Sequence, residues 1–511
     1  MYCGDETAAI VGDFGTNSFK FGFAGEDMPK GDIPSVAGIQ LSQKTDSVDI
    51  SSQKTKQISP TTAASITANR TITSTSATKA ATAATPTSQS ADSRVEPKTV
   101  TSDGKDLVET NQSKALPIPQ QQQKQQGSGS LGKLALGISA IDARKLDTEL
   151  VNPMKDGLYD RLDIIEKFWE HSIAHELSSK PEEHPVLICD PSFNTLEIRE
   201  KLLETMFEKL RSPLLYLAPN AMLSAFSVGR ATALVVDVGA SGSCVVPVND
   251  GYLLRRSLKR SRVGGNMVDQ HLLQLLEETI IKRQLRPQCT FTKKRLQDGT
   301  LKIMEQPSSF VSRIHPTYLN WQKQYVVQDM KKSVCRVWSE LTFDRTAASA
   351  YIEEKYELPD GTLVSMGADR FLSPELMINP SLDLSFSKEF LELKEKEASS
   401  IISSSLPSMI RDSVQSAHVD LRKELVQQVL VVGGGSLLPG TIERLGKEIG
   451  QDLPTVLKAR FLTPSNHQRL YSAWTGGSIL SSLGSFQQMW LSKAEYEEYG
   501  AKSLLISRCK N

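Results

Sequence analysis

The sequence predicts a mixed α/β protein in which two related lobes close on one phosphate group. Two segments, Ala9–Gly22 and Leu234–Pro247, each indicate a β-hairpin, because an apolar run enters a turn of small residues and a second run leaves it. Asp13 and Asp237 occupy equivalent places in the two hairpins, at the end of the first strand. Elsewhere, apolar strands alternate with amphipathic helices, a pattern typical of sheets that are flanked by helices.

The turns of the two hairpins predict a phosphate site. Small residues let backbone N–H groups approach an anion closely, and a carboxylate at the strand end could hold a metal ion through water. The alternative is that Asp13 and Asp237 only form turns at strand ends. A third small-residue turn, Gly433-Gly434-Gly435, follows another apolar strand, and the three turns together favour the site.

The elements of the first half follow from apolar periodicity and its interruptions. The first hairpin leads into a strand-like return at Ile33–Val36, and order resumes at Pro153–Gly157 after an insert. We then expect a helix, a buried strand, a second helix and a third, apolar-faced helix, at Tyr159–Leu177, Pro185–Asp190, Thr195–Leu210 and Ala218–Gly229.

The elements of the second half begin with the hairpin at Leu234–Pro247. We expect helices at Met267–Arg283, Tyr325–Trp338 and Thr441–Ile449, with a polar stretch at Gln284–His315 and a hairpin at Tyr356. A Ser-rich charged bridge, a strand that enters the glycine turn, and a closing block complete the chain, at Ser385–Ser405, Leu430–Ser436 and Trp474–Tyr499.

The insert at 41–130 has a composition unlike the rest of the chain. It is rich in Ser, Thr, Ala, Gln and Lys, and no aromatic residue occurs between Phe23 and Tyr159. Such a segment cannot bury enough apolar surface to offset the entropy that ordering costs. We therefore predict that 41–130 is a low-complexity disordered insert.

Length, charge and cysteine usage limit the class of protein. The 511 residues allow two to four domains, and the formal net charge of zero implies no general attraction to nucleic acid or anionic lipid. The six cysteines show no CxxC spacing, which favours a reducing compartment over a zinc site. No secretory signal and no apolar run of membrane-spanning length is evident, so we expect an intracellular, soluble protein.

Several blocks resemble the actin family. The segments Asp13-Phe-Gly-Thr and Phe21–Gly25 are similar to the first phosphate loop of actin, and Asp237-Val-Gly is similar to the second. Tyr356–Gly361 and Trp474–Trp490 also match, the latter almost residue for residue. The resemblance covers 8–38 and 150–500 and implies an actin-like two-lobed ATPase fold with four subdomains. It implies a first lobe at 1–40, 131–227 and 472–511, and a second lobe at 228–471.

The resemblance also implies a nucleotide site. It places Asp13 and Asp237 around Mg or Ca through water, Lys20 on phosphate, Gly433 and Gly434 against the adenosine, and Lys331 beside the adenine. The full set that the resemblance implies for cofactor binding is Asp13, Gly15, Thr16, Lys20, Asp237, Gly239, Gly265, Lys331, Gly433 and Gly434.

Departures from the actin pattern concentrate at this site. Relative to actin, an acid becomes Ala240, a water-orienting glutamine becomes Asn220, and a nearby histidine becomes Cys244. The ribose-binding glutamate falls at Lys332, and further changes are at Asn17, Leu438 and Leu470. Because hydrolysis needs a positioned water, we expect no enzyme activity or very little, and ATP with Mg or Ca bound weakly or not at all.

Three other features have open or ordinary interpretations. Arg255–Arg262 holds five basic residues and is either an import or nucleic-acid patch or a solvated edge of the fold. His171 and His175 lie four apart on a helix, but no further ligand is near in sequence, so we expect a structural role. Phe486, Met489 and Trp490 form an apolar face that either packs in the core or borders a partner groove.

Three functions are compatible with the fold that the resemblance implies: a filament-forming or regulatory cytoskeletal actin, a sugar-kinase-like or chaperone ATPase, and a nuclear scaffold. The closing block argues against the second, while the insert at the place of the filament loop and the altered site argue against the first. Further blocks resemble subfamily four of the actin-related proteins, at Ala24–Lys30, Asn152–Gly157, Asp237–Ala240, His315–Tyr318 and Tyr496-Glu-Glu.

The subfamily resemblance implies a location, partners and a role. Its members are nuclear subunits shared by chromatin remodelling and histone acetyltransferase complexes, which act in transcription regulation and DNA repair. The implied partners are actin, a helical segment of a remodeller ATPase or large scaffold subunit, and, indirectly, histones and nucleosomes. The implied docking groove lies near Ser478–Phe486 and Pro185–Arg199. We expect no membrane partner and no homofilament.

Overall fold

A computed structural model of the protein describes residues 8–41, 134–142, 146–297, 301–380, 404–454 and 457–509. The predicted disorder of 41–130 and the predicted bridge at Ser385–Ser405 lie almost wholly outside the described residues. The predicted fold class is confirmed, because the chain forms several sheets with helices packed against them. No helix of the described part is long and apolar enough to cross a membrane.

The strands, in chain order, are β1 (Ile10–Phe14), β2 (Ser18–Phe23), β3 (Gly31–Pro34), β4 (Ala37–Gln40), β5 (Leu134–Ala135), β6 (Thr148–Val151), β7 (Met154–Lys155), β8 (Leu158–Tyr159), β9 (Val186–Asp190), β10 (Leu214–Pro219), β11 (Ala233–Val238), β12 (Ser243–Asn249), β13 (Tyr252–Leu253), β14 (Lys259–Ser261), β15 (Phe291–Arg295), β16 (Leu301–Glu305), β17 (Glu354–Glu357), β18 (Leu363–Met366), β19 (Val429–Val432), β20 (Phe461–Leu462) and β21 (Leu491–Ser492).

The α-helices are α1 (Ile138–Asp142), α2 (Leu162–His171), α3 (Leu196–Glu204), α4 (Asn220–Ser227), α5 (Gly265–Leu275), α6 (Ser308–Val311), α7 (Pro316–Val334), α8 (Arg345–Ala348), α9 (Asp369–Ile378), α10 (Leu406–Ser416), α11 (Val419–Val426), α12 (Thr441–Asp452), α13 (Asn466–Leu470), α14 (Ser472–Ser482) and α15 (Lys493–Arg508).

Each of the two larger sheets contains one of the predicted hairpins. The first has the strand order β21-β10-β9-β1-β2-β3, with β1 antiparallel to β2 and parallel to β9. The second has the order β13-β12-β11-β19-β20, with β11 antiparallel to β12 and parallel to β19. Parallel neighbours require crossover connections, and α3 supplies the one between β9 and β10. Strand β1, which carries Asp13, and strand β11, which carries Asp237, therefore lie at central positions of their sheets.

The closing block completes the core of the first sheet. Trp474 is fully buried, and its indole N–H donates to the Val11 carbonyl at 3.0 Å. Phe486 and Trp490 are also buried, so they pack in the core, whereas Met489 is 40 % exposed. The sequence alone left this choice open, because an apolar face near a chain end fits either a core or a surface role.

Helix α14 crosses α4 at very close range. An added Cβ on Gly476 would lie 1.8 Å from the Leu223 carbonyl oxygen, a backbone atom that cannot rotate away. The crossing fixes α4, which begins at Asn220 and so places that side chain at the site described below. Glycine is needed here for close backbone approach rather than for an unusual backbone angle.

Substituting Gly476→Ala should therefore lower the free energy of unfolding by about 3 kcal/mol or more, since two helices would have to separate. A urea unfolding titration measures the change. The matched control is Gly450→Ala in α12, where an added Cβ meets no atom within 4 Å. That variant should gain about 1 kcal/mol from the better helix propensity of alanine. Equal urea midpoints for the unaltered and Gly476→Ala proteins would contradict the crossing.

Several predicted boundaries were wrong. Helix α7 begins at Pro316, nine residues before the predicted start, with the His315 side chain accepting from the Thr317 N–H as its cap. The predicted polar stretch Gln284–His315 contains β15, β16 and α6, and order resumes before Pro153, with β5, α1 and β6. Short exposed strands carry little apolar alternation, which is why the sequence pattern did not reveal them.

Candidate functional site

The turns of the two hairpins line one cavity of about 500 Å³. All ten residues predicted for cofactor binding line it, namely Asp13, Gly15, Thr16, Lys20, Asp237, Gly239, Gly265, Lys331, Gly433 and Gly434. The structure thus brings together residues that are more than 400 positions apart in the chain. Whether they hold a nucleotide remains a prediction.

The first turn is closed by backbone and side-chain hydrogen bonds. The Gly15 N–H donates to the Ser18 carbonyl at 3.0 Å, and the Ser35 hydroxyl donates to the Gly15 carbonyl at 2.6 Å. Lys20 is buried, and its ammonium lies 3.4 Å from the Asp13 carboxylate. Burial alone would lower the pKa of Lys20, but the carboxylates of Asp13, Asp32 and Asp237 outweigh it and raise the pKa. A fixed positive charge therefore stands in the cavity wall.

The second turn meets the start of α5. The Gly239 N–H donates to the Gly242 carbonyl at 2.9 Å, and the Gly265 N–H donates to the Gly239 carbonyl at 3.0 Å. An added Cβ on Gly264 would lie 2.4 Å from the Gly242 nitrogen, so only glycine permits this packing. The positive end of the α5 dipole thus points toward the cavity, an arrangement that suits an anion.

Asp237 lies in an unfavourable electrostatic environment in the cavity wall. Burial, followed by repulsion from Asp13, raises its pKa to about 6, while Lys20 acts in the opposite direction. The Asn220 amide donates to the Asp237 carboxylate at 3.2 Å. A divalent cation between Asp13 and Asp237 would relieve their repulsion, so the two carboxylates fit a hydrated Mg or Ca ion.

The third glycine turn packs directly against Asp237. Gly433 has φ 85°, and an added Cβ would lie 2.5 Å from an Asp237 carboxylate oxygen. Strand β19, which carries this turn, lies parallel to β11 with Val432 in register with Asp237. The sequence identified the turn from its glycines, and the register explains why it reaches the same cavity.

Lys331 forms an ion pair inside the site. Its ammonium lies 2.8 Å from the buried Asp269 carboxylate and donates to the Gly265 carbonyl at 3.2 Å. The pKa of Asp269 is nevertheless raised, because burial outweighs the attraction of Lys331. Asp269 therefore holds Lys331 against the N-terminal turn of α5, where the resemblance to actin expects the adenine.

The groups that depart from actin also line the cavity. Asn220 is held on both sides, because its carbonyl oxygen accepts from the Ser192 N–H and hydroxyl at 3.0 and 2.6 Å while its amide donates to Asp237. Burial, followed by the charge of Asp237, raises the pKa of the Cys244 thiol well above its ordinary value. A neutral thiol cannot accept a proton from water, and Ala240 offers no polar group. These three positions supply no free general base.

The other residues that differ from the actin pattern also line the cavity. Lys332, Leu438 and Leu470 line the cavity, so a cation and two aliphatic side chains stand where actin has an acid, an aromatic and a lysine. Asn17, the side chain added to the first turn, accepts a hydrogen bond from the Gln328 amide at 3.3 Å. The added group thus bridges to α7 rather than projecting freely into the cavity.

One side-chain hydrogen bond joins the two hairpin turns, and nearby arginines contact the turn at Asp156. The Thr16 hydroxyl donates to the Ser241 hydroxyl at 3.0 Å, and Arg262 forms an ion pair with Asp156 at 3.1 Å. Arg260 lies over the Phe193 ring at 3.9 Å and donates to the Asp156 carbonyl. Arg260 and Arg262 therefore have structural partners, which favours the ordinary interpretation for these two members of Arg255–Arg262.

The two histidines of the predicted helix contact each other through their rings. The His171 and His175 rings lie 4.9 Å apart. In the described ranges, no three or more His, Cys, Asp or Glu side chains gather as a metal site would require. The pair is thus explained by ring contact on one helical face.

The sequence did not identify several residues that shape the site. Asp32 lines the cavity opposite Lys20 in the β2–β3 register and accepts from the Tyr471 hydroxyl at 3.2 Å. Asp269, Phe193 and Ser241 were missed as well. Ser241 lies in the second hairpin turn itself, whereas Asp32, Asp269 and Phe193 belong to no glycine turn and reach the cavity only through tertiary contacts.

Comparison with known proteins gives consistent matches. The sequence model of the family described as Actin matches residues 4–510. The chain is 36 % identical over 511 residues to Actin-related protein 4 of Oryza sativa subsp. indica and 35 % identical over 511 residues to that of Arabidopsis thaliana, with 100 % of each chain covered. It is 32 % identical over 405 residues to Actin-related protein 4 of Schizosaccharomyces pombe, covering 75 % of this chain and 90 % of that protein.

Proposed function

The chain belongs to the actin family, and on that premise we propose that it is a nuclear scaffold subunit rather than a working ATPase. In this proposal it helps to assemble chromatin remodelling and histone acetyltransferase complexes and to engage histones and nucleosomes. Transcription regulation and DNA repair are the processes that such complexes serve. The similarity to proteins named Actin-related protein 4 supports the proposal.

One observation carries the proposal. The cavity has the small-residue turns and the lysine that suit a phosphate, but the side chains that would position the attacking water in actin are replaced. The glycine turns, Lys20 and the start of α5 line the cavity, and their chemistry suits an anion. Asn220 is held by Ser192 and Asp237, while Ala240 and Cys244 offer no base. A site of this kind can bind a ligand for structural purposes without turning it over.

A bound nucleotide would serve the lobes as a structural link. Asp13 and Asp237 would hold Mg or Ca through water, and that ion would offset the charge of the phosphates. Lys20 would contact a phosphate from the first lobe, while Gly433 would let the third turn approach the nucleoside. The ion pair of Lys331 with Asp269 and the cation Lys332 are consistent with weaker binding than in actin, because both change the wall on which the nucleoside would rest.

The proposed partner surface is the groove beside α14. Ile479 and Leu483 are 41 % and 47 % exposed, although both are large and apolar. A contiguous apolar surface can receive a partner, and an amphipathic helix is the simplest occupant of a groove of this kind. In the proposal that helix belongs to a remodeller ATPase or a large scaffold subunit, with actin as its neighbour.

Affinity purification tests the proposed function. The full chain, tagged and expressed at its natural level, is recovered from nuclear and cytoplasmic fractions, and the proteins that co-purify are identified. Recovery from the nuclear fraction with actin and with remodeller or acetyltransferase subunits supports the proposal. Recovery mainly with cytoskeletal proteins from the cytoplasm would favour the filament alternative.

A further inference from the structure

The segment 282–313 carries a strong local positive charge. The whole chain is balanced, with 59 basic and 59 acidic residues. This segment has eight basic residues and two acidic ones, which gives it a net charge of +6. The basic residues are Lys282, Arg283, Arg286, Lys293, Lys294, Arg295, Lys302 and Arg313, and the acidic ones are Asp298 and Glu305. A charge concentrated in this way in a neutral protein favours an anionic partner.

Three of the arginines already have acidic partners. Arg283 pairs with Asp360 at 2.7 Å, Arg286 pairs with Glu305 at 3.6 Å, and Arg313 pairs with Asp147. Four other cations lie on the β15–β16 hairpin and are exposed, namely Lys293, Lys294, Arg295 and Lys302. We call these four the basic ribbon. Within the described part of the chain, none of them forms an ion pair.

The strand register places two of these cations face to face. Lys294 lies directly opposite Lys302 in the antiparallel pair. Like charges at directly opposed positions destabilise a hairpin, and no acidic group of the described residues compensates them. The fold therefore keeps an unfavourable charge arrangement that binding of an anion would relieve.

The base of the hairpin is fixed to the body of the protein. Phe291 is buried at the start of β15, and Cys289 packs with Ile141, Ile314 and Tyr318 in a small apolar cluster. The Gln306 N–H donates to the Thr290 carbonyl at 2.9 Å across the base. The ribbon is thus presented from a rigid support, which lowers the entropy that binding would cost.

We propose that the basic ribbon binds duplex DNA through its phosphates. A two-stranded β-ribbon fits the major groove, whose width is about 12 Å. Lysine is a compact point charge that suits phosphate contact better than recognition of particular bases. Phe291 at the buried base is the one aromatic residue of the described ribbon strands, so the exposed part offers no stacking platform for single-stranded bases. Direct contact with DNA goes beyond the scaffold role proposed above and does not depend on it.

Binding of a labelled duplex to the full chain, followed by fluorescence anisotropy at several salt concentrations, tests the proposal. Four phosphate contacts predict a slope of about −3.6 for the logarithm of the binding constant against that of salt. Affinity should accordingly fall by about 100-fold between about 50 and 200 mM salt. The variant Lys293→Gln, Lys294→Gln, Arg295→Gln and Lys302→Gln should flatten the slope by about 3.6 and bind about tenfold more weakly or worse at low salt.

The matched control removes the same charge elsewhere. Lys201→Gln, Lys423→Gln, Lys458→Gln and Lys502→Gln change four exposed lysines outside the hairpin and should leave the slope unchanged. The ribbon variant should be at least as stable to heat as the unaltered protein, because the repulsion between Lys294 and Lys302 is removed. A second variant with only Lys294→Gln and Lys302→Gln should flatten the slope by about half as much.

Two results would overturn the proposal. One is a folded ribbon variant that binds duplex DNA with the affinity and salt slope of the unaltered protein. The other is tighter binding of polyglutamate or single-stranded RNA than of duplex DNA through the same four residues. The second result would keep the ribbon as an anion surface and assign it to a different class of partner.

Discussion

Restoring three side chains at the cavity should raise ATP turnover by about 100-fold or more over that of the unaltered protein. The restoring substitutions are Asn220→Gln, Ala240→Asp and Cys244→His. They return a longer amide, an acid and a base to the wall where water would have to be positioned. We expect their effects to be cooperative, since groups that act on one water are not additive.

The measurement is single-turnover hydrolysis at saturating ATP with Mg, so that weak binding does not hide the rate of the chemical step. The matched control is Lys332→Glu on the same cavity wall. It restores the charge expected near the ribose and should improve affinity while leaving the saturated rate unchanged, because it does not contact the water. Rapid hydrolysis by the unaltered protein, at the rate of the triple variant, would refute this account of the site.

Charged substitutions in the α14 groove should abolish the capture of helical partners. Ile479→Asp or Leu483→Asp places a carboxylate on the apolar surface proposed to receive the helix. Burying an unpaired charge in an interface centre costs about 2 kcal/mol or more, which corresponds to a loss of about 30-fold or more in affinity. Co-purification of actin and scaffold subunits with each variant is the readout.

The structure makes this experiment practical. Because Ile479 and Leu483 are 41 % and 47 % exposed, either variant should fold, which circular dichroism can check. The matched control is Ile352→Asp, since Ile352 is 86 % exposed and lies far along the chain, next to β17. It should co-purify with every partner. A folded Leu483→Asp protein that also retains every partner would count against the groove.

The sequence predicted those parts of the site that are formed by residues adjacent in the chain. A glycine turn after an apolar strand needs only adjacent residues to be recognised, so Asp13, Asp237 and Gly433 were found without a structure. The two hairpins were also found with nearly correct bounds, because β-branched runs and small turns are strong signals over short distances.

The parts that depend on tertiary contact were not predicted. Asp269 reaches Lys331 only because α5 packs against α7, and Asp32 faces Lys20 only through the β2–β3 register. Helix α9 contains Pro374 and is buried along almost its whole length, so neither its composition nor its periodicity resembles a surface helix. The basic ribbon lies in the stretch that the sequence pattern marked only as polar, and the pairing of Lys294 with Lys302 follows from the strand register.

Sedimentation of the purified full chain under polymerising salt with Mg and ATP tests the central claim most directly. The claim is that this actin fold acts as a single subunit of heteromeric assemblies, with a groove that receives a partner helix. We predict that the protein stays in the supernatant at every concentration at which actin forms sedimenting filaments. Homofilaments that sediment and are visible by electron microscopy would contradict the claim.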